Sequence, residues 1–159
     1  MFAIFLGRRG SVRARTVAAV TNPSRTPRSL PLILARELAS NLSTAMFLLD
    51  ATGTLVFYND AAEIIIGKPF GELGEVSAAD FGEVLQLADE DGTTVRRRDS
   101  PAGVAFLERR PSHRVLYVTG YDGTRRLVEA TAYPLLGMAD EMHGVVSVFW
   151  QLDRRGDGA

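Results

Sequence analysis

The chain of 159 residues contains no cysteine. That absence removes disulfides, thiolate metal sites and every cysteine nucleophile in one step. Histidine is almost as scarce, with only His113 and His143. Catalysis needs a nucleophile, a base and an orienting group, or a cluster of metal ligands, and this supply is too poor to support an enzyme. His113 opens a strand pattern and His143 lies in a loop near Asp140 and Glu141, so both read as surface or strand-end residues. The acidic turns DEDGT and GYDGT lack the ligand pattern of a calcium loop, and no Gly-rich phosphate loop is present. No apolar run approaches the roughly 20 residues needed to cross a bilayer. The opening MFAIFLGRRG places its charge after the apolar residues, the reverse of a secretory signal, and a cytoplasmic location is expected. Lysine occurs once, at Lys68, against seventeen arginines, which reads as codon bias rather than chemistry.

What is present is unevenly charged. Residues 1–28 carry Arg8, Arg9, Arg13, Arg15, Arg25 and Arg28 with no acid, a charge of +6, and removing that from the net −1 leaves −7 for the remainder. The segment is rich in Ser, Thr, Arg and Pro, the composition of a disordered arm. Its alternative role is a basic contact with nucleic acid, anionic lipid or an acidic partner. A start codon placed upstream of the true one would give the same sequence. The short stretch 154–159 reads as a disordered tail.

Between these ends, residues 29–43 form one periodic element. Ser29 can cap a helix with Pro31 in its first turn, and Leu30, Leu34, Leu38 and Leu42 recur every four residues with Ile33 beside them. The stripe either packs on its own domain or pairs with a second copy. AMFLLD and TLVFYN follow, two apolar runs split by Asp50-Ala51-Thr52-Gly53, which predicts a β-hairpin. Asn59 or Asp60 then caps a short helix, with Asp60 and Glu63 at capping-box spacing, Gly67 at its end and Pro69 beyond. KPFGELGEVSAADFGE predicts short helical turns, EVLQLADEDGTTV is ambiguous between helix and strand, and Arg96-Arg97-Arg98 fall in a loop, as a solvated face or an anion contact. Asp99 or Ser100 caps the helix PAGVAFLERR, which Pro111 stops. HRVLYVT, TRRLVEATAY ended by Pro134, and VVSVFWQL read as three strands, the last apolar on both faces as a central strand would be.

The run LLDATGTLVFYNDAAEIIIG resembles the opening of a PAS domain: an aspartate before the turn, a glycine in it, and an asparagine at the strand-to-helix junction. DEDGTTV, the Pro-led helix, GYDGTRRLVEATAYPL and GVVSVFWQL resemble the later elements, so the likeness covers about Leu30 to Leu152. It implies an α+β fold over residues 44–153, a five-stranded antiparallel sheet of order 2-1-5-4-3 with helices on one face, plus the N-terminal flanking helix. It also implies a sensory or interaction module in signalling or transcription regulation, working by homodimerisation and binding of a partner protein of unknown identity, with Leu30, Leu34, Leu38 and Leu42 as the dimer interface. The alternative is a small-molecule or redox sensor holding a non-covalent ligand such as flavin. The light-sensing flavin adduct and coumarate-type chromophores need a cysteine, and haem is disfavoured because the helix PAGVAFLERR carries no histidine. A pocket for a small apolar ligand would lie between that helix and the sheet, lined by Val104, Leu107, Tyr117, Thr131, Val148 and Trp150, unless these are plain core. The aligned Gln151-Leu152-Asp153 departs from the family's D-I-T-like coupling motif, and no output domain is expected after it.

Overall fold

The computed structural model describes residues 27–153; the basic arm up to residue 26 and the tail at 154–159 lie outside the described residues. The hairpin forms as expected from β1 (Ala45–Asp50) and β2 (Thr54–Tyr58). Its turn is held by Asp50, whose Oδ1 accepts from the backbone N–H groups of Thr52 at 2.9 Å and Thr54 at 3.0 Å. Helix α2 (Asp60–Ile66) follows, capped by Asn59 and closed by Gly67 in the left-handed conformation. Glu63 makes no capping box; its Oε1 reaches forward to the N–H of Phe70 at 2.8 Å.

Helix α3 (Phe70–Leu73), strand β3 (Val76–Ser77), helix α4 (Ala78–Val84) and strand β4 (Gln86–Ala88) fill the middle. The three arginines enter a single 3-10 turn, Arg97–Asp99. Helix α5 (Pro101–Glu108) starts where Ser100 accepts from the N–H of Gly103, with Pro101 in the first turn, where its missing N–H costs nothing. Strands β5 (Ser112–Thr119), β6 (Arg125–Leu136) and β7 (Met142–Gln151) complete the chain. Pro134 does not end β6: it stands opposite Val145 of β7. The β5 pairing has already stopped at Ala132, so on that side no ladder bond is lost to the proline.

The sheet is antiparallel, of order β3-β2-β1-β7-β6-β5-β4. Its five long strands stand in the expected order 2-1-5-4-3, and the correction is one of number: β3 and β4 add a short strand at each end, giving seven. Strand β7 is central, between β1 and β6, which explains its apolar character on both faces.

Helices α2, α4 and α5 cover the inner face, over a core that includes Leu49, Leu55, Tyr58, Ile66, Phe81, Leu116, Val128 and Phe149. Helix α1 (Leu30–Ser40) lies on the opposite face, where Leu32 packs with Leu48 and Val56 against Ala35, Phe57, Leu135 and Val146. The guanidinium of Arg36 sits 4.8 Å from the Phe57 ring centroid and adds a cation–π contact to this docking. The stripe Leu30, Leu34, Leu38 and Leu42 does not do the packing: α1 buries Leu32 and Ala39 instead and leaves all four leucines exposed. Ser29 occupies the N-cap position, but its hydroxyl finds no partner among the described residues.

Candidate functional site

Between the inner face and helices α4 and α5 the core is incomplete and encloses a cavity of about 380 Å³. The floor is Leu49 of β1, Leu116 and Val118 of β5, Val128 and Ala130 of β6, and Ser147 and Phe149 of β7; Phe81 and Leu85 of α4 and Phe106 of α5 close over it. These positions follow from strand alternation, because every second residue of β5, β6 and β7 points inward. The cavity persists because the side chains beneath α5 are small: Ala102, Gly103 and Ala130 line it where larger residues would fill it.

One residue of the floor is out of character. Ser147 is 2% exposed, lies opposite Phe47 of β1 and Ala132 of β6, and its hydroxyl makes no hydrogen bond among the described residues. The site thus carries a polar group that faces the cavity with no protein partner among the described residues. The other polar lining groups on this side are occupied. Ser100 Oγ donates to the carbonyl of Arg97 at 2.6 Å while accepting from Gly103 N, and Ser77 Oγ accepts from Asp80 N.

The mouth is basic. Arg97 and Arg98 line the cavity from the 3-10 turn ahead of α5. That turn is pressed against the helix so closely that a Cβ on Gly103 would stand 2.1 Å from the Arg97 carbonyl oxygen, so only glycine fits there. Arg96 and Arg98 are drawn to Asp99, at 2.7 Å and 3.9 Å, whereas the Arg97 guanidinium has no partner among the described residues. Tyr58, on the far side of the core, donates from its hydroxyl to the Lys68 carbonyl at 2.8 Å, and burial, with Glu63 next in effect, pushes its pKa well above the usual phenol value.

Neither a family model nor a curated protein sequence matches the chain. Solved structures do. The Rhodobacter sphaeroides LOV protein superposes with a TM-score of 0.62 over 81% of this chain and 71% of its own, at 18% identity. The PAS domain of the fruit-fly ELK potassium channel gives 0.61 over 76% and 96%, at 9% identity. The PAS domain of Bordetella pertussis BvgS gives 0.53 over 78% and 87%, at 17% identity. The fold is that of a PAS domain.

Of the lining residues expected from the sequence, the structure brings Leu107 to the cavity and leaves Val104 off its wall. Tyr117, Thr131, Val148 and Trp150 alternate with the inward residues and stand on the opposite face of the sheet, Trp150 being exposed. The correction is one residue of register on each strand. The expectation missed Ser147, although a lone polar residue in VVSVFW was a visible signal, and it missed Arg97.

Flavin and haem can be tested against this lining. A flavin presents a polar ring edge with several carbonyl and N–H groups, whereas the unpartnered polar side chains of the lining, among the described residues, are the Ser147 hydroxyl and the Arg97 guanidinium. No histidine among the described residues lines the cavity to serve as an axial haem ligand. His113 lies on the opposite face, with Nδ1 2.9 Å from Thr131 Oγ1 and Nε2 3.3 Å from Glu129. His143 stands beside Glu141. No helix of the described residues is long and apolar enough to cross a membrane.

Proposed function

We propose that the protein is a cytoplasmic, non-enzymatic sensory and interaction module in signal transduction or transcription regulation, acting by homodimerisation and by binding a partner protein. The observation that carries this reading is the leucine stripe of α1. Leu30, Leu34, Leu38 and Leu42 are 42–65% exposed although the helix is docked on its own sheet through Leu32 and Ala39. Tyr133 and Trp150, on the sheet face that α1 covers only in part, are exposed as well. Apolar surface gathered on one side is favourable to bury against another molecule. Light scattering tests it: the wild type is expected to be a dimer, and Leu34→Glu with Leu38→Glu to be a folded monomer, because charges placed in a dry interface are costly. A monomeric wild type overturns the reading.

The cavity supports a second reading, that the module senses a small ligand between α5 and the sheet. Its volume falls at the low end of the roughly 300–1,000 Å³ of small-molecule sites, and Ser147 supplies a polar group that the fold itself leaves unsatisfied. Native mass spectrometry of the protein as purified is expected to show a bound species of small mass that organic solvent removes.

A further inference from the structure

We propose that the cavity binds an amphipathic organic acid whose apolar body fills the core space, whose carboxylate is held by Arg97, and which carries a further oxygen that meets Ser147. The inference rests on reading the cavity as a ligand site and names the chemistry of its occupant.

Three independent features define that chemistry. The wall is apolar, so the body of the ligand must be hydrocarbon, and at the ~30 Å³ that a water-sized group occupies the 380 Å³ takes about a dozen non-hydrogen atoms. Ser147 lines the cavity with a hydroxyl that makes no hydrogen bond among the described residues, which favours a ligand with a hydrogen-bonding oxygen over a bare alkane. The third feature is charge. No aspartate or glutamate lines the cavity, while Arg97 does, so an ammonium would meet repulsion and an anion would meet a partner.

The placement of Arg97 is specific to that residue among the three arginines. Its two neighbours are engaged with Asp99. The Arg97 stem crosses α4 at Gly82, where its Cδ comes within 3.2 Å of the point a Cβ would occupy. The guanidinium beyond that stem has no partner among the described residues, so its donors are free. A guanidinium fork grips a carboxylate with two parallel hydrogen bonds, whereas a doubly charged phosphate calls for more donors than one arginine supplies.

Titration calorimetry of the full chain with ω-hydroxydecanoate, decanoate and decanol tests the assignment. The hydroxy acid is expected to bind tightest, and decanol about tenfold or more weaker than decanoate, the worth of a charge-assisted hydrogen bond. Arg97→Gln is expected to abolish the preference for acid over alcohol. Ser147→Ala is expected to erase the preference for the hydroxy acid over decanoate, with a melting temperature no lower than wild type to show that the fold is intact. Decanol binding as tightly as the acids, or an acid preference that survives Arg97→Gln, overturns the inference and leaves a ligand cavity of other specificity. Absence of binding by all three probes overturns the ligand-site reading itself.

Discussion

Asn59 holds together more of this protein than a capping residue needs to. Its Oδ1 accepts from Met46 N at 3.0 Å and Ala62 N at 3.1 Å, and its Nδ2 donates to the carbonyls of Ala39, Leu42 and Thr44 at 3.0, 3.2 and 2.8 Å. One side chain thus joins the end of α1, the start of β1 and the N-terminus of α2. Asn59→Leu is expected to cost about 3 kcal/mol or more, since several buried backbone groups lose partners at about 1–3 kcal/mol each; an unchanged denaturation midpoint would count against this. The cap was legible because it is local, whereas the three carbonyls lie 15 to 20 residues away, beyond the reach of any pattern. Asp122 shows the same limit: its pairing with Arg126 at 2.7 Å is a local contact, but Arg126 also reaches the Ile65 carbonyl at the end of α2. Hydrogen bonds from Arg126, then from Thr124 N, hold the Asp122 carboxyl well below the usual carboxylate range. A carboxylate with a lowered folded pKa contributes stability that is complete above its unfolded value of about 4 and is lost as pH falls through the folded one. Asp122→Asn is therefore expected to lower the melting temperature at neutral pH and to flatten its acid dependence below about pH 4, a difference that two pH series of thermal melts would read.

Among the elements, α1 divides its apolar residues between two sides. Leu32 is buried at 2% exposure and Leu34, two positions on, is 59% exposed. Leu32→Ala is expected to destabilise the domain by about 2–5 kcal/mol. Leu34→Ala should stay within about 0.5 kcal/mol of wild type in a monomer, and urea denaturation of the two variants would separate the faces. The four-residue repeat made the helix visible in sequence but pointed to the exposed side, because periodicity reports that a stripe exists and not what it meets. Strand β7 failed for a related reason. With Val145, Val146, Val148, Phe149 and Trp150 all apolar, alternation gave no sign of which set faced the cavity, and the expected lining was displaced to the outer face. Strands β3 and β4, two and three residues long, are shorter than any alternating pattern can register.

For the molecule as a whole, the strand order came from resemblance and agrees with the structure, whereas the cavity could not be read from sequence at all, since it is the space left by residues from many separate elements. The core closes within the described residues: Leu32 near one end and Phe149 near the other are both buried in it. Removal of residues 1–26 is therefore expected to leave cooperative unfolding intact, with a melting temperature within a few degrees of the full chain. A broad, non-cooperative melt of the truncated protein would show instead that the arm is structural. If the full chain binds anionic vesicles or nucleic acid with a steep salt dependence that the truncation abolishes, the five arginines removed with residues 1–26 are the cause.

The two shortest strands have a consequence for what the protein avoids. A sheet that ends in a long, flat strand offers a row of free N–H and C=O groups on which a foreign strand can template itself, the first step toward fibres. Here the sheet is finished on one side by Val76–Ser77, which runs straight into α4, and on the other by Gln86–Ala88, followed by the acidic turn at Asp89. Neither border is long enough to seed an extended ladder. The leucines, the tyrosine and the tryptophan exposed on its faces are thus separated from any edge on which strands could add, so surface that is sticky face to face does not come with a border that invites polymerisation along hydrogen bonds.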